Sequence, residues 1–288
     1  MSERVSIEVL LADGKAELKA AGVPDPVAQA RGLLELATGL GKVFIIAHPE
    51  HVPSGSEITR FFDLVRRRAS REPFQQIAGR QEFYGLEFLV TADVMIPRPE
   101  TELIVEKGIG LLADTAKPTI CEVGTGSGCI VVSLLHELAE ATAVGLEVSE
   151  AAREVTLANA RSNSVADRLE LRGSDVFSAL APDERFDLIV SNPPYVPLED
   201  VAALQPEVRD HEPFVALTDG STGLTIIERI VKVAPSHLRR GGHVLLEIGF
   251  NQSPAVLGMF DDRIWASAAA FPDLQGIPRM IRASIRVR

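Results

Sequence analysis

The sequence predicts an α/β protein in which a parallel, doubly wound sheet follows a small helical bundle. Beyond Pro118, short apolar strands alternate with helical stretches, which implies parallel strands joined by right-handed crossovers. A glycine turn, Gly124-Thr-Gly-Ser-Gly128, lies directly between the first of these strands and the helix after it. Residues 1–80, by contrast, carry apolar residues at helical spacing with no clear strand alternation among them.

The chain has 288 residues, 46% of them hydrophobic, enough to bury a sizeable core and to fill two domains of roughly 100–200 residues each. No run approaches the roughly 18 apolar residues of a membrane span, and Met1-Ser-Glu-Arg4 lacks a signal peptide's charged and then apolar layout, so a cytoplasmic protein is expected. Cys121 and Cys129 are read as small buried hydrophobes in a reducing compartment, not as a disulfide or a zinc site. A formal net charge of −11, its acidic excess lying beyond residue 90, argues against binding nucleic acid mainly through phosphates.

Taken in order, Leu10, Leu11, Leu18 and Ala21 recur at helical spacing, and Asp25-Pro26 signals a helix that runs over 28–38 until Gly39 and Gly41 stop it. Residues 58–69 form another helix with Phe61, Phe62 and Val65 inward. The run Arg66-Arg67-Arg68 at its end reads as a solvated cationic terminus that complements the helix dipole. Loose aromatic alternation from Gln81, broken by Gly85, predicts a β-hairpin linking the domains. Pro97 and Pro99 stiffen the entry to a helix that Thr101 or the acids near it start. Strands are expected at 119–123, 143–148, 169–173, 186–191, 243–248, 264–269 and 280–287, with helices at 130–138, 151–161 and 223–238.

The strand 186–191 reads as buried on both faces, and it must stop at Asn192 because Pro193 and Pro194 cannot continue a ladder. Open α/β sheets bind ligands at such strand ends. The prolines carry no N–H, so this corner offers acceptors, the Asn192 side-chain oxygen and backbone carbonyls, to a group rich in N–H. In the glycine turn the backbone can bend sharply and meet a ligand closely, at a helix N-terminus whose N–H groups attract anions. Glu147 ends the next strand, about 20 residues on, where an acid grips ribose hydroxyls in nucleotide-binding folds. S-adenosylmethionine and NAD both fit that pattern.

Taken together, Asn192-Pro-Pro-Tyr195, the glycine turn and Glu147 resemble a class I methyltransferase that alkylates a planar nitrogen. Further segments narrow the resemblance: Arg71-Glu-Pro-Phe-Gln-Gln-Ile77, Glu82-Phe-Tyr-Gly-Leu86, Ile96-Pro-Arg-Pro-Glu-Thr-Glu102, Asp210-His-Glu-Pro213, Leu246-Glu-Ile-Gly249 and Gly276-Ile-Pro-Arg279. In this order they are similar to the release factor glutamine N5-methyltransferases, the HemK/PrmC type. A sister family acting on a ribosomal protein and the adenine N6 DNA methyltransferases share the Asn-Pro-Pro-Tyr corner. The Pro-Arg-Pro-Glu-Thr-Glu form disfavours the first, and the acidic charge the second.

The resemblance implies a class I, Rossmann-like sheet, mostly parallel with an antiparallel last strand, preceded by the helical bundle and the hairpin. It implies a helical domain at 1–80 that recognises the substrate protein, a linker at 81–96 and a methyltransferase domain at 97–288. The implied reaction carries a methyl group from S-adenosylmethionine to the glutamine of the Gly-Gly-Gln motif in class I peptide chain release factors, with no nucleic acid, membrane or metal involved.

Residue by residue, Gly124, Thr125, Gly126, Ser127 and Gly128 are implied to hold the methionine end of the cofactor, Glu147 its ribose, and Asp175 and Val176 its adenine. Val176 stands where the family often has an aromatic, and Glu122 where Asp is common. Asn192, Pro193 and Tyr195 are the implied catalytic residues, Asn192 bordering the cofactor as well, with Pro194 and Met95 completing the glutamine pocket. An amide nitrogen is a poor nucleophile because its lone pair is delocalised. The expectation is therefore that Asn192 Oδ1 and the Pro193 carbonyl accept the two amide N–H groups while Tyr195 packs on the amide plane. Alignment of this kind supplies roughly 7–11 kcal/mol in favourable cases. Glu247 is expected to accept backbone N–H bonds at its strand end, and His211 and Glu212 to be solvated loop residues.

Overall fold

The structure, a computed structural model, describes residues 5–286, and the chain divides into two compact units. The first takes the residues up to Gly79 together with Gln205–His211. Its helices are α1 (Ile7–Ala20), α2 (Pro26–Thr38), α3 (Lys42–Ala47), α4 (Gly55–Ala69) and α5 (Phe74–Ala78). Asp25 starts α2 by accepting the Ala28 N–H, and Ser54 and Glu57 start α4 with a reciprocal capping box. Ile7, Leu10, Leu18, Leu33, Leu34, Phe61 and Val65 are buried together at the centre of this unit.

The arginine run departs from the cationic-terminus reading. Arg66 pairs with Asp63 and Arg67 with Glu72, but Arg68 is 5% exposed. It donates to Glu207 at 2.9 Å, and Arg71 donates to the same carboxylate at 2.8 and 2.6 Å. A helix-end arginine was thus a buried ion-pair partner for a segment far along the chain, which spacing within α4 alone does not reveal.

The second unit opens with a hairpin, β1 (Arg80–Phe83) and β2 (Leu86–Leu89), whose two-residue turn puts Tyr84 and Gly85 at φ 52° and 74°. Both positive values match the twist of the strands. There follow α6 (Glu102–Leu112), β3 (Thr119–Val123), α7 (Cys129–Glu137), β4 (Thr142–Glu147), α8 (Glu150–Ser162), β5 (Leu169–Gly173) and β6 (Phe186–Ser191). After β6 come the short helices α9 (Pro206–Arg209), within the first unit, and α10 (Phe214–Leu217). The chain ends with α11 (Thr225–Val233), β7 (Leu238–Glu247), α12 (Ser253–Leu257), β8 (Trp265–Pro272) and β9 (Pro278–Ile285).

The helix expected at 223–238 stops at Val233 because Pro235 cannot donate within it, and the strand expected from 243 begins at Leu238, where it pairs with Phe186. The last expected strand ends at Ile285, and Val287 lies outside the described residues. Cys121 and Cys129 are buried and unbonded to each other.

The seven strands stand in the order β5-β4-β3-β6-β7-β9-β8. All neighbours are parallel except the pairs made by β9, which runs against both β7 and β8. The order reverses between β3 and β6: from β3 the chain winds outward through β4 and β5, then returns to place β6 on the other side of β3. That reversal opens a crevice beyond the carboxyl ends of the two strands.

Glu207 yields a stability prediction. Burial works against its charge, but Arg71 and Arg68 outweigh this and hold its carboxyl down to about 2. Glu207→Ala leaves Arg68 buried without its anion, so we expect the helical unit to lose about 3–5 kcal/mol in urea unfolding. The sign with pH follows from a folded value below the ordinary 4.5: Glu207's contribution is full at neutral pH and disappears as pH falls from about 4.5 towards 2. Identical acid unfolding of the two proteins would contradict this.

Candidate active site

The parallel register of β3 and β6 brings the two motifs together. Ile120, Cys121 and Glu122 pair with Leu188, Ile189 and Val190, and the Ser191 hydroxyl donates to the Val123 carbonyl at 2.6 Å. The strands therefore end level, one running into Gly124 and the other into Asn192. Both residues line one cavity of about 270 Å³.

Gly124, Thr125, Gly126 and Ser127 form one wall of this cavity, and Glu147, Asp175, Val176, Met95 and Pro194 also line it. Pro193 and Tyr195 are not among the lining residues, nor is Gly128. Gly128 turns the other way: a Cβ there would stand 2.7 Å from Thr156 Cγ2, whereas a Cβ on Gly126 would meet nothing within 4 Å. Gly126 borders open space, and Gly128, at φ 79°, lets the turn pack on α8 and begin α7.

Two residues that sequence reasoning overlooked hold this turn from behind. The Thr156 hydroxyl donates to the Gly126 carbonyl at 2.9 Å. Asn159, fully buried, donates to the Ser127 carbonyl at 2.8 Å and to Leu89 O at 3.0 Å, while accepting Leu89 N–H at 2.7 Å. One carboxamide thus ties the glycine turn to the hairpin. A Thr and an Asn three residues apart on an otherwise apolar helix face are the sequence signal that would have found the pair.

The cavity is acidic. Glu147 is pinned by two backbone donors, Gly126 N–H at 3.0 Å and Ser149 N–H at 2.9 Å, one to each oxygen. Glu122, 1% exposed, accepts the Val131 N–H, and burial pushes its carboxyl well above the usual carboxylate range. Asp175 is exposed and held in a two-pronged pair by Arg229. Val176 is buried at φ 52°, a left-handed conformation that a β-branched residue adopts under strain.

Behind Asn192 stands a polar network that the sequence reading did not assemble. Asn192 Nδ2 donates to Thr101 Oγ1 at 3.2 Å; Thr101 donates to Glu247 Oε2 at 2.7 Å; and the Tyr195 hydroxyl donates to Glu247 Oε1 at 3.0 Å. Tyr195, expected to pack on a substrate amide, is bonded to Glu247 and does not line the cavity. Glu247 takes two hydroxyls and not the backbone donors expected for it, and burial pushes it up to about 7. Burial, with the Glu247 carboxylate beside it, also raises the Tyr195 phenol. Glu212, expected to be solvated, is buried and accepts from Arg98. No group of His, Cys, Asp and Glu that could hold a metal ion occurs among the described residues, and no described helix is long and apolar enough to cross a membrane.

Comparison with known proteins identifies the family. The PrmC N-terminal domain matches residues 9–79 and the methyltransferase small domain residues 101–205. A release factor glutamine methyltransferase of Cereibacter sphaeroides is 42% identical, the alignment covering 93% of this chain and 94% of the relative. One from Geobacter sulfurreducens is 41% identical over 92% and 91%. Among solved structures, the hMettl16 catalytic domain in complex with MAT2A 3′UTR hairpin 6 superposes with a TM-score of 0.58 at 17% identity, covering 81% of this chain and 82% of that one, a likeness of fold alone. The sheet that reverses between β3 and β6, the paired motifs at its crevice and relatives matched over nearly their whole length lead to one conclusion: the chain belongs to the release factor glutamine methyltransferase family.

Proposed function

We propose that this chain transfers a methyl group from S-adenosylmethionine to the side-chain amide nitrogen of the glutamine in the Gly-Gly-Gln motif of class I peptide chain release factors, in the cytoplasm. One observation carries the reading: Asn192 and the glycine turn line the same cavity, and Asn192 Oδ1 accepts no hydrogen bond from any described residue.

The residues present fit the cofactor. The open space over Gly124 and Gly126 is a cradle that any side chain would fill. Glu147, already oriented by two backbone N–H groups, keeps lone pairs for ribose hydroxyls. Glu122 is a buried acid whose ionisation a cationic ammonium would favour. Val176 and Asp175 supply the adenine wall. The cofactor, when bound, supplies an electrophilic methyl on a cationic sulfur.

On this reading Asn192 Oδ1 and the Pro193 carbonyl accept the two N–H groups of the substrate amide and fix its plane. Neither acceptor receives a hydrogen bond among the described residues; Asn192 lines the cavity itself, and Pro193, which does not, joins it through the chain. Met95 and Pro194 provide apolar walls that exclude water. Tyr195 acts from behind, through Glu247. No strong base is needed: the nitrogen is far more acidic once it carries the new bond and gives its extra proton up to solvent, while the sulfur that loses the methyl would leave as a neutral thioether.

Incubation with cofactor and a recombinant release factor, followed by mass mapping, should place one methyl on the Gly-Gly-Gln glutamine. Methylation of duplex DNA instead would defeat the proposal. Asn192→Ala should lower kcat roughly 10- to 100-fold, the effect of one lost hydrogen bond to a buried amide, while the cofactor Kd stays within about threefold. Unchanged turnover would remove Asn192 from the mechanism.

The two glycines separate binding from folding. Gly126→Ala puts a methyl into the cradle, so calorimetry should show cofactor affinity falling about tenfold or more, with a stability loss of about 1–2 kcal/mol from its φ. Gly128→Ala collides with Thr156 and should lower Tm further than Gly126→Ala does. The reverse order of stabilities would contradict the packing described.

A further inference from the structure

The hydrogen bonds behind Asn192 have a direction. Ionised Glu247 has no proton to give, so Thr101 and Tyr195 must both donate to it. With its single hydrogen committed, Thr101 Oγ1 can only accept from Asn192, which therefore turns Nδ2 towards it. These are the two partners of Thr101 Oγ1 among the described hydrogen bonds, and Thr101 is 1% exposed. Asn192 Oδ1 is left as the unengaged end of the carboxamide.

We propose that Glu247, acting through Thr101, sets which way round the Asn192 carboxamide faces, and that ionised Glu247 is the form that presents Asn192 Oδ1 to the substrate amide. This rests on the proposed methylation of a glutamine amide. Thr101 and Glu247 are positioning residues: the acceptor is Asn192, and Glu247 does not line the cavity.

Protonation reverses the chain of donors. A proton on Glu247 Oε2 is donated to Thr101 Oγ1, and the Thr101 hydrogen then needs another acceptor. Asn192, its other hydrogen-bond partner, offers one in Oδ1 once the carboxamide has turned over. Nδ2 would then be the end offered to the substrate, a donor set against donors, and buried groups so opposed go unpaired. An aliphatic hydroxyl accepts better than the phenol of Tyr195, which directs the proton to Oε2 and not to Oε1.

The groups acting on Glu247 come from several elements, and Cys129 at the start of α7 lies within its electrostatic reach, its thiol raised chiefly by burial and in part by Glu247. Thr101 and Tyr195 bond it, Glu100 beside Thr101 raises its titration, and Arg279 at the start of β9 lowers it. Burial is the largest influence and leaves Glu247 changing charge at about 7. Sequence position gives no warning of this, because the two positioning residues lie in motifs far apart along the chain.

The test uses the full chain labelled with ¹⁵N-asparagine. The Asn192 side-chain amide signal, assigned by its loss in Asn192→Ala, should move with a midpoint at about 7 in the wild type and stay flat in Thr101→Val and Glu247→Gln. Above that midpoint Thr101→Val should turn over about tenfold more slowly or worse, and Thr101→Ser should recover to within about threefold, with the cofactor Kd changed less than about twofold throughout. A wild-type signal that stays flat across neutral pH overturns the proposal, as does one that titrates unchanged in Thr101→Val. A Thr101→Val protein with wild-type turnover overturns it too. A wild-type signal that titrates as expected in a protein leaving release factors unmethylated supports the relay and sinks the proposed substrate alone.

Discussion

The parallel pairing of β3 with β6 is the constraint on which the rest of this molecule depends. Neighbouring strands that run the same way leave the sheet at the same edge, and the reversal of strand order between them keeps any crossover helix from covering that edge. A glycine turn and a proline corner, 68 residues apart by the pairing of Val123 with Ser191, become two walls of one cavity. Neither motif could make a site alone. The glycine turn supplies the open space over Gly124 and Gly126, and the corner supplies the unengaged Asn192 Oδ1.

That arrangement sets the needs of the site against the needs of folding. Burial lifts Glu247 from the ordinary 4.5 to about 7, and lifts Glu122 well above the ordinary range. A carboxyl raised on folding contributes stability that is fully present below its unfolded value and is lost as pH rises through its folded value. The ionised forms that would orient Asn192 and attract an ammonium are thus the forms folding opposes. The hydroxyls of Thr101 and Tyr195 reduce that opposition at Glu247, and so hold an acid in the core where an apolar side chain would fold more easily.

Much of this was legible from sequence because it rests on local rules. Two prolines must end a strand; glycines at alternate positions must bend a turn; strand and helix in alternation must wind a parallel sheet. Asn192, Glu147 and the turn at Gly124–Gly126, all singled out from the sequence, line one cavity. What escaped was set by contacts across the chain. Thr101 and Glu247 are 146 residues apart, and Asn159 reaches Leu89 across 70. The hydrogen bond from Tyr195 to Glu247 joins residues 52 apart and was likewise invisible in the local motif. Arg68 looked like an exposed helix end because its anion, Glu207, lies 139 residues on.

Glu207 also bears on how the domains are to be understood. The segment Gln205–His211 leaves the strand-and-helix unit shortly after the Asn192 corner, belongs to the helical unit, and gives the chain back at Glu212. Besides Glu207, it is held there by Gln76, which donates to the His211 carbonyl at 3.1 Å. The compact helical unit thus takes in seven residues beyond the 1–80 range expected for a helical domain. Cut at residue 80, that domain would keep Arg68 and lose its counterion, an uncompensated charge in a small core. The helical unit is complete only when the loop that follows the proposed catalytic corner is part of it, because that loop carries the anion its buried arginine needs.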